Sequence, residues 1–182
     1  MVLLRPSLLG VFLSILLAGT AWGAESEPAP IGQFFGHFKG SAIASQKFPG
    51  GFGKLDNRDL DVSIKPWDSG GFSLSWSTVF RSRKAKQPKK RSLTLNFVRT
   101  INPKVWRAAR SGDPLSGHAL IWARLDAKTL AVYIIELKSS GQPAMAIYRR
   151  TVNKDVMTLE FERRDDGKAV RLVRGDLHRQ KK

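Results

Sequence analysis

The stretch RDLDVSIKPWDSGGFSLSWSTVF, residues 58–80, alternates twice. In its first half Leu60, Val62 and Ile64 share one face, and Asp59, Asp61, Ser63 and Lys65 share the other. In its second half Phe72, Leu74, Trp76, Thr78 and Phe80 fall on one side and three serines on the other. A period of two places successive side chains on opposite faces of a strand, so both halves read as strands with one wet face. The intervening PWDSGG is turn chemistry, short enough for an antiparallel hairpin. This pair sets the pattern for the chain.

SLTLNFV resumes the alternation, and HALIWARL, LAVYIIEL, PAMAIYRRTV, VMTLEFERR and AVRLVRGDLH follow at short intervals, with Asp166-Gly167 a tight-turn signal between the last two. With GQFFGHFKGSAIA at the front the count is nine strands, or ten if Val105 and Trp106 extend. INPKVWRAAR alternatively reads as a short helix capped by Asn102 with Pro103 at its first position. The expected fold is all-β, an antiparallel up-and-down barrel of nine or ten strands, because closure removes exposed edges. An immunoglobulin-type sandwich would need crossovers, and only residues 45–56 and 101–116 are long enough to make them.

The opening residues have the layout of a secretory signal peptide: Arg5, the apolar run LLGVFLSILLAG, then small residues in TAWGA. Cleavage is expected after Gly23, with Ala24 as the alternative. The expected organisation is a signal peptide over 1–23, a polar leader over 24–31, one barrel domain over 32–179 and a basic tail over 180–182. This implies a periplasmic or secreted protein. The chain has no cysteine, which excludes disulfides, thiolate catalysis and a lipid-anchored lipoprotein.

Its 31 Lys and Arg against 15 Asp and Glu give a formal charge of +16. That excess favours anionic partners. It is concentrated in RSRKAKQPKKR, residues 81–91, between two strands. A hairpin loop of Arg81, Arg83, Lys84, Lys86, Lys89, Lys90 and Arg91, with Pro88 and no aromatic, cannot build a core. It reads either as a solubilising tip or as a contact to an anionic membrane surface or lipopolysaccharide. Without interleaved aromatics it does not suit base stacking, and nucleic acid is not an expected partner.

IGQFFGHFKGSA, with Gly32, Phe34, Gly36 and Gly40, resembles the first strand of calycin-like barrels, the lipocalin, fatty-acid-binding and nitrobindin-like group. There an aromatic, usually Trp, plugs the closed end while glycines let the strand bend. The resemblance implies that a basic residue on the last strand covers the plug; Arg171 or Arg174 would do so by stacking on Phe34. A nitrobindin-like haem would need an interior histidine on the last strand. His178, the sole histidine there, lies too close to the chain end, so no cofactor is expected.

No hydrolase, zincin or nucleotide fingerprint occurs, and His37, His118 and His178 are too far apart in sequence to suggest a metal site. The protein therefore reads as non-enzymatic. In fatty-acid-binding-like barrels interior arginine and tyrosine hold a carboxylate headgroup, which directs attention to Trp76, Phe97, Trp122, Arg124, Tyr148 and Arg150 as ligand contacts, with Glu136 as an ion partner of Arg124 or Arg150. HALIWARL and LAVYIIEL are apolar on both sides, so a cover is expected over Ile121, Tyr133 and Ile135: residues 101–116, the leader, or a second copy in a homodimer. The leading functional expectation is an exported barrel that binds an amphipathic or hydrophobic, lipid-like small molecule and is held near an anionic envelope surface by its basic loop. The alternative is a structural or adaptor barrel with a filled interior and no ligand. Cavity volume decides between them.

Overall fold

The computed structural model describes residues 30–80 and 89–181. The expected signal peptide, most of the leader, Arg81, Arg83, Lys84 and Lys86 lie outside the described residues. A 3-10 turn, η1 (Ile31–Phe34), leads into β1 (Gly36–Phe48), β2 (Gly51–Trp67), β3 (Gly71–Phe80) and β4 (Lys89–Arg99). Then come β5 (Val105–Ala108), η2 (Pro114–Ser116), β6 (Leu120–Asp126), β7 (Thr129–Leu137), β8 (Pro143–Asn153), β9 (Val156–Asp165) and β10 (Lys168–Arg179). Every strand pairs antiparallel with its sequence neighbours, and β1 pairs with β10 to close a ten-stranded up-and-down barrel. The fold class expected from the alternation is the one observed.

Two local expectations change, and one open alternative is decided. The first strand starts at Gly36 rather than Gly32, because residues 31–34 wind into η1 beneath the barrel. Residues 105–108 form the tenth strand and not a helix: the Thr100 hydroxyl and Asn102 side chain tie off a turn, and Val105 to Arg107 then pair with β6. The basic stretch is not loop to its end, since Lys89, Lys90 and Arg91 pair with Phe80, Val79 and Thr78.

Closure depends on two glycines. Gly40 faces Leu177 and Gly175 faces Ala42 across the β1–β10 seam. A Cβ on Gly40 would strike the Asp176 carbonyl, and one on Gly175 the Ser41 carbonyl. At both places the backbones approach too closely for any side chain. Near η1 the interior is packed solid. Phe72 stacks on Phe97 at 4.7 Å and meets Trp106 edge-on at 5.6 Å, with Phe34, Phe38, Ile64, Leu130, Val132, Met157 and Leu177 fully buried around them. Large and small residues alternate there, Trp106 beside Ala123 and Phe97 beside Ala108.

Gly175→Ala should lower stability by about 1–3 kcal/mol, the usual cost of forced overpacking. Gly32→Ala, whose Cβ would meet nothing, should leave the denaturation midpoint unchanged.

Candidate functional site

At the end of the barrel away from η1 the packing gives way to a cavity of about 420 Å³. Its apolar wall is Leu60, Val62, Trp76, Leu93, Leu159, Phe161 and Val173, and Tyr148, Ser77, Thr78 and Ser92 add hydroxyls. Inward-facing parity on β2, β3, β4, β8, β9 and β10 brings the apolar wall, Thr78 and Tyr148 together, while Ser77 and Ser92 pair with each other on the other parity of β3 and β4. Trp76, Tyr148 and Phe161 form a continuous aromatic belt, with ring centroids 5.1 Å and 4.6 Å apart. A volume of this size lies within the range of small-molecule sites, and ten strands enclose more space than side chains alone fill in an eight-stranded barrel.

Four arginines line the same cavity: Arg58, Arg91, Arg163 and Arg171. Arg58 is held by Asp56 at 2.7 Å. Arg163 reaches Asp165 at 3.1 Å and Glu136 at 3.4 Å. Arg171 donates to the Gln46 side chain at 3.1 Å, and its buried Nε finds no acceptor. The hydrogen bond from Lys138, followed by that from Arg163, holds the Asp165 carboxyl below its usual range, which keeps this side of the mouth ion-paired until the pH falls through that lowered value.

A fifth arginine lies deeper. Arg150 is completely buried, and its Nε, Nη1 and Nη2 all lack a hydrogen-bond partner. Its guanidinium sits 5.3 Å from the Trp76 ring and 5.5 Å from the Tyr148 ring, so the two aromatics of the belt separate it from the cavity. Burial pushes its pKa down to about 10, against a smaller opposing effect of Tyr148; it therefore stays charged at neutral pH. Burial likewise raises the Tyr148 phenol, which remains protonated and able to donate. Since the folded pKa of Arg150 lies below its unfolded value, the charge costs stability at every pH below about 10, and the cost relaxes only as the pH rises past that point.

Of the ligand contacts expected from sequence, Trp76 and Tyr148 line the cavity and Arg150 backs it. Phe97 belongs to the solid core. Trp122 and Arg124 point outward: Ala123 and Leu125 take the inner positions of β6, Trp122 stacks on Tyr133 at 4.8 Å outside the barrel, and Arg124 is exposed beside Asp126. Ile121 packs against the core, so of the trio expected to need a cover only Tyr133 and Ile135 lie on the outer side of β7, where η2 meets that strand. Glu136 pairs with Arg163 rather than with Arg124 or Arg150.

At the closed end the expected pairing of Phe34 with Arg171 or Arg174 is not what the structure brings together. Phe34 is buried, and Arg179 lies 4.5 Å over the Phe38 ring while donating to the carbonyls of Phe35 and Gln33. Arg171 sits at the opposite, open end, and Arg174 is outside beside Glu160. Register explains this: β10 runs antiparallel to β1, so the residue opposite Phe38 is Arg179. Sequence reasoning missed Arg58, Phe161, Arg163 and Arg179 as site or plug residues, although Arg58 shares parity with Leu60 on β2, and Phe161 and Arg163 with the buried Leu159 on β9. His37 faces outward and hydrogen-bonds Asp61 at 2.7 Å; His178 is also on the outer face. Among the described residues no cluster of side chains suits a metal ion, and no helix is long and apolar enough to cross a membrane.

Fold and site together define a closed antiparallel barrel with an aromatic- and arginine-lined cavity at one end. Two solved structures are among those this chain is similar to. One is Rv2717c from M. tuberculosis, 12% identical with a TM-score of 0.49, the match covering 85% of this chain and 100% of that one. The other is the S-type phycobiliprotein lyase CPES from Guillardia theta, 8% identical with a TM-score of 0.37, covering 83% and 90%. No protein-family model matches the chain, and no curated protein matches it.

An unsatisfied buried charge costs more than its contacts with two aromatic faces return. Arg150→Met should therefore raise the stability of the ligand-free protein by about 1–2 kcal/mol in a denaturant titration, whereas an arginine that served only as a structural clamp would give a loss.

Proposed function

We propose that this is an exported, non-enzymatic binding protein whose barrel takes an amphipathic small molecule bearing an acidic head. The observation that carries the reading is Arg150, a fully buried guanidinium with no acceptor, set behind the aromatic belt of an otherwise apolar cavity. Buried polar groups are ordinarily satisfied, and an orphaned one of full charge marks a place where an acceptor arrives from outside. A carboxylate or similar anion would accept two parallel N–H bonds from it once Trp76 and Tyr148 swing aside, with the Tyr148 hydroxyl as a further donor. The apolar body would then lie along Leu60, Val62, Leu159 and Phe161, and the arginines of the mouth would favour entry of anions. The carboxylates flanking the cavity, Asp56, Glu136 and Asp165, are each engaged by arginine, which favours binding over acid–base chemistry.

The cavity also bears on the adaptor alternative. A barrel filled by its own side chains would have no comparable space, whereas here only the half nearest η1 is packed solid. The basic segment is read as the element that holds the open end near anionic envelope surfaces.

Native mass spectrometry of protein purified from the periplasm, with an absorption spectrum of the same sample, tests the reading directly. A mass excess that disappears on denaturation is expected. A clean apo mass that persists after incubation with envelope lipid extract would return the protein to the adaptor class. With dodecanoate as probe, titrated by tryptophan fluorescence, Arg150→Met should weaken binding by about ten- to a hundredfold, the value of a charged hydrogen bond.

Replacing Lys84, Lys86, Lys89 and Lys90 with Gln should weaken binding to anionic vesicles at low salt without shifting the melting temperature. Unchanged binding would leave the segment a solubilising one.

A further inference from the structure

The hairpin joining β1 and β2 outruns the barrel. The pairing of β1 with β10 ends at Gln46, and that of β2 with β3 begins at Arg58, so among the described residues the tip is a two-stranded ribbon. Such a ribbon is marginal in water unless something covers it. Its end reads KFPGGFGK, residues 47–54: six uncharged residues bracketed by lysines. Phe48 and Phe52 are each 44% exposed. Glycines turn the chain, with Gly50 at φ 95° and Gly51 at φ 134°, and Gly53 leaves room for the Phe48 ring across the ribbon.

Register decides what could cover these rings. Phe48 opposes Gly51 and Lys47 opposes Phe52, so the two phenylalanines project from opposite faces. A flat protein surface would cover one and leave the other wet. A medium that receives the ribbon end-on covers both. The cations flank and follow the tip: Lys47 sits directly across from Phe52, and Lys89 and Lys90 stand at the start of β4, on the same end of the barrel as the cavity mouth.

We propose that the β1–β2 tip inserts into an anionic lipid bilayer, with Phe48 and Phe52 at the level of the headgroup–acyl boundary and Lys47, Lys89 and Lys90 against the headgroup charge. Depth stops there because the outer backbone groups of a two-stranded ribbon need water. The inference deepens the anionic-surface reading above, turning salt-sensitive attachment into shallow insertion that points the cavity mouth at the bilayer. It does not require the cavity to be filled.

The test compares phosphatidylglycerol–phosphatidylcholine vesicles with pure phosphatidylcholine, using the purified protein, the double variant Phe48→Ser/Phe52→Ser, and Phe52→Trp as a reporter. Insertion predicts that the double variant binds the anionic vesicles about ten- to thirtyfold more weakly, the value of covering two half-exposed rings, with an unchanged melting temperature. It also predicts that the Phe52→Trp emission shifts to the blue on those vesicles and is quenched by brominated acyl chains. Equal binding by the double variant with an unquenched reporter would overturn insertion and leave surface attachment standing. If the unaltered protein binds neither vesicle, both readings fall.

Discussion

The seam between β1 and β10 is the contact on which the rest of this barrel depends. Ten strands enclose an interior only if the first finds the last, and here that meeting requires backbone against backbone at Gly40 and Gly175. Arg179 then locks the closed end, its guanidinium spread over Phe38 and bonded to the carbonyls of Gln33 in η1 and Phe35 just after it. The seam removes the sheet's edges, and the plug makes one end solid, which confines the open volume to the other.

That division gives the molecule two interiors with different rules. Near the plug, Phe72, Phe97 and Trp106 interlock with alanines, and packing alone sets residue identity. Toward the mouth the same inward positions carry guanidinium groups, and the wall is held by ion pairs and an aromatic belt. Arg150 lies at the boundary. Its guanidinium meets two aromatic faces and no acceptor among the described residues.

How much of this was legible in the sequence follows from how strongly each strand was patterned. Residues 58–80 show clean alternation, and the faces read from them are the observed ones. β6 is apolar on both sides, so size favoured Trp122 as the inner residue, yet the barrel wanted Ala123 there because Trp106 already occupied the space beside it. Parity placed Tyr148 and Arg150 inward correctly. It does not tell which end of a strand is closed, so the expectation falls on Arg171 or Arg174, whereas the cation at the closed end is Arg179, over Phe38. Ion pairs such as Glu136 with Arg163 reach from β7 to β9 across the intervening β8, a contact that alternation within single strands does not show.

The glycine seam also has a meaning in time. Phe38 and Arg179 stand at opposite ends of the domain's sequence, and no local contact substitutes for their pairing. Every other ladder of the meander can form as a hairpin with its neighbour, whereas this one waits for the whole chain and carries the largest loop-closure entropy of the fold. Until then the outer edge of β1 is an open strand edge, able to pair with whatever strand it meets first. A chain synthesised from the β1 end keeps that edge waiting until its last residues arrive.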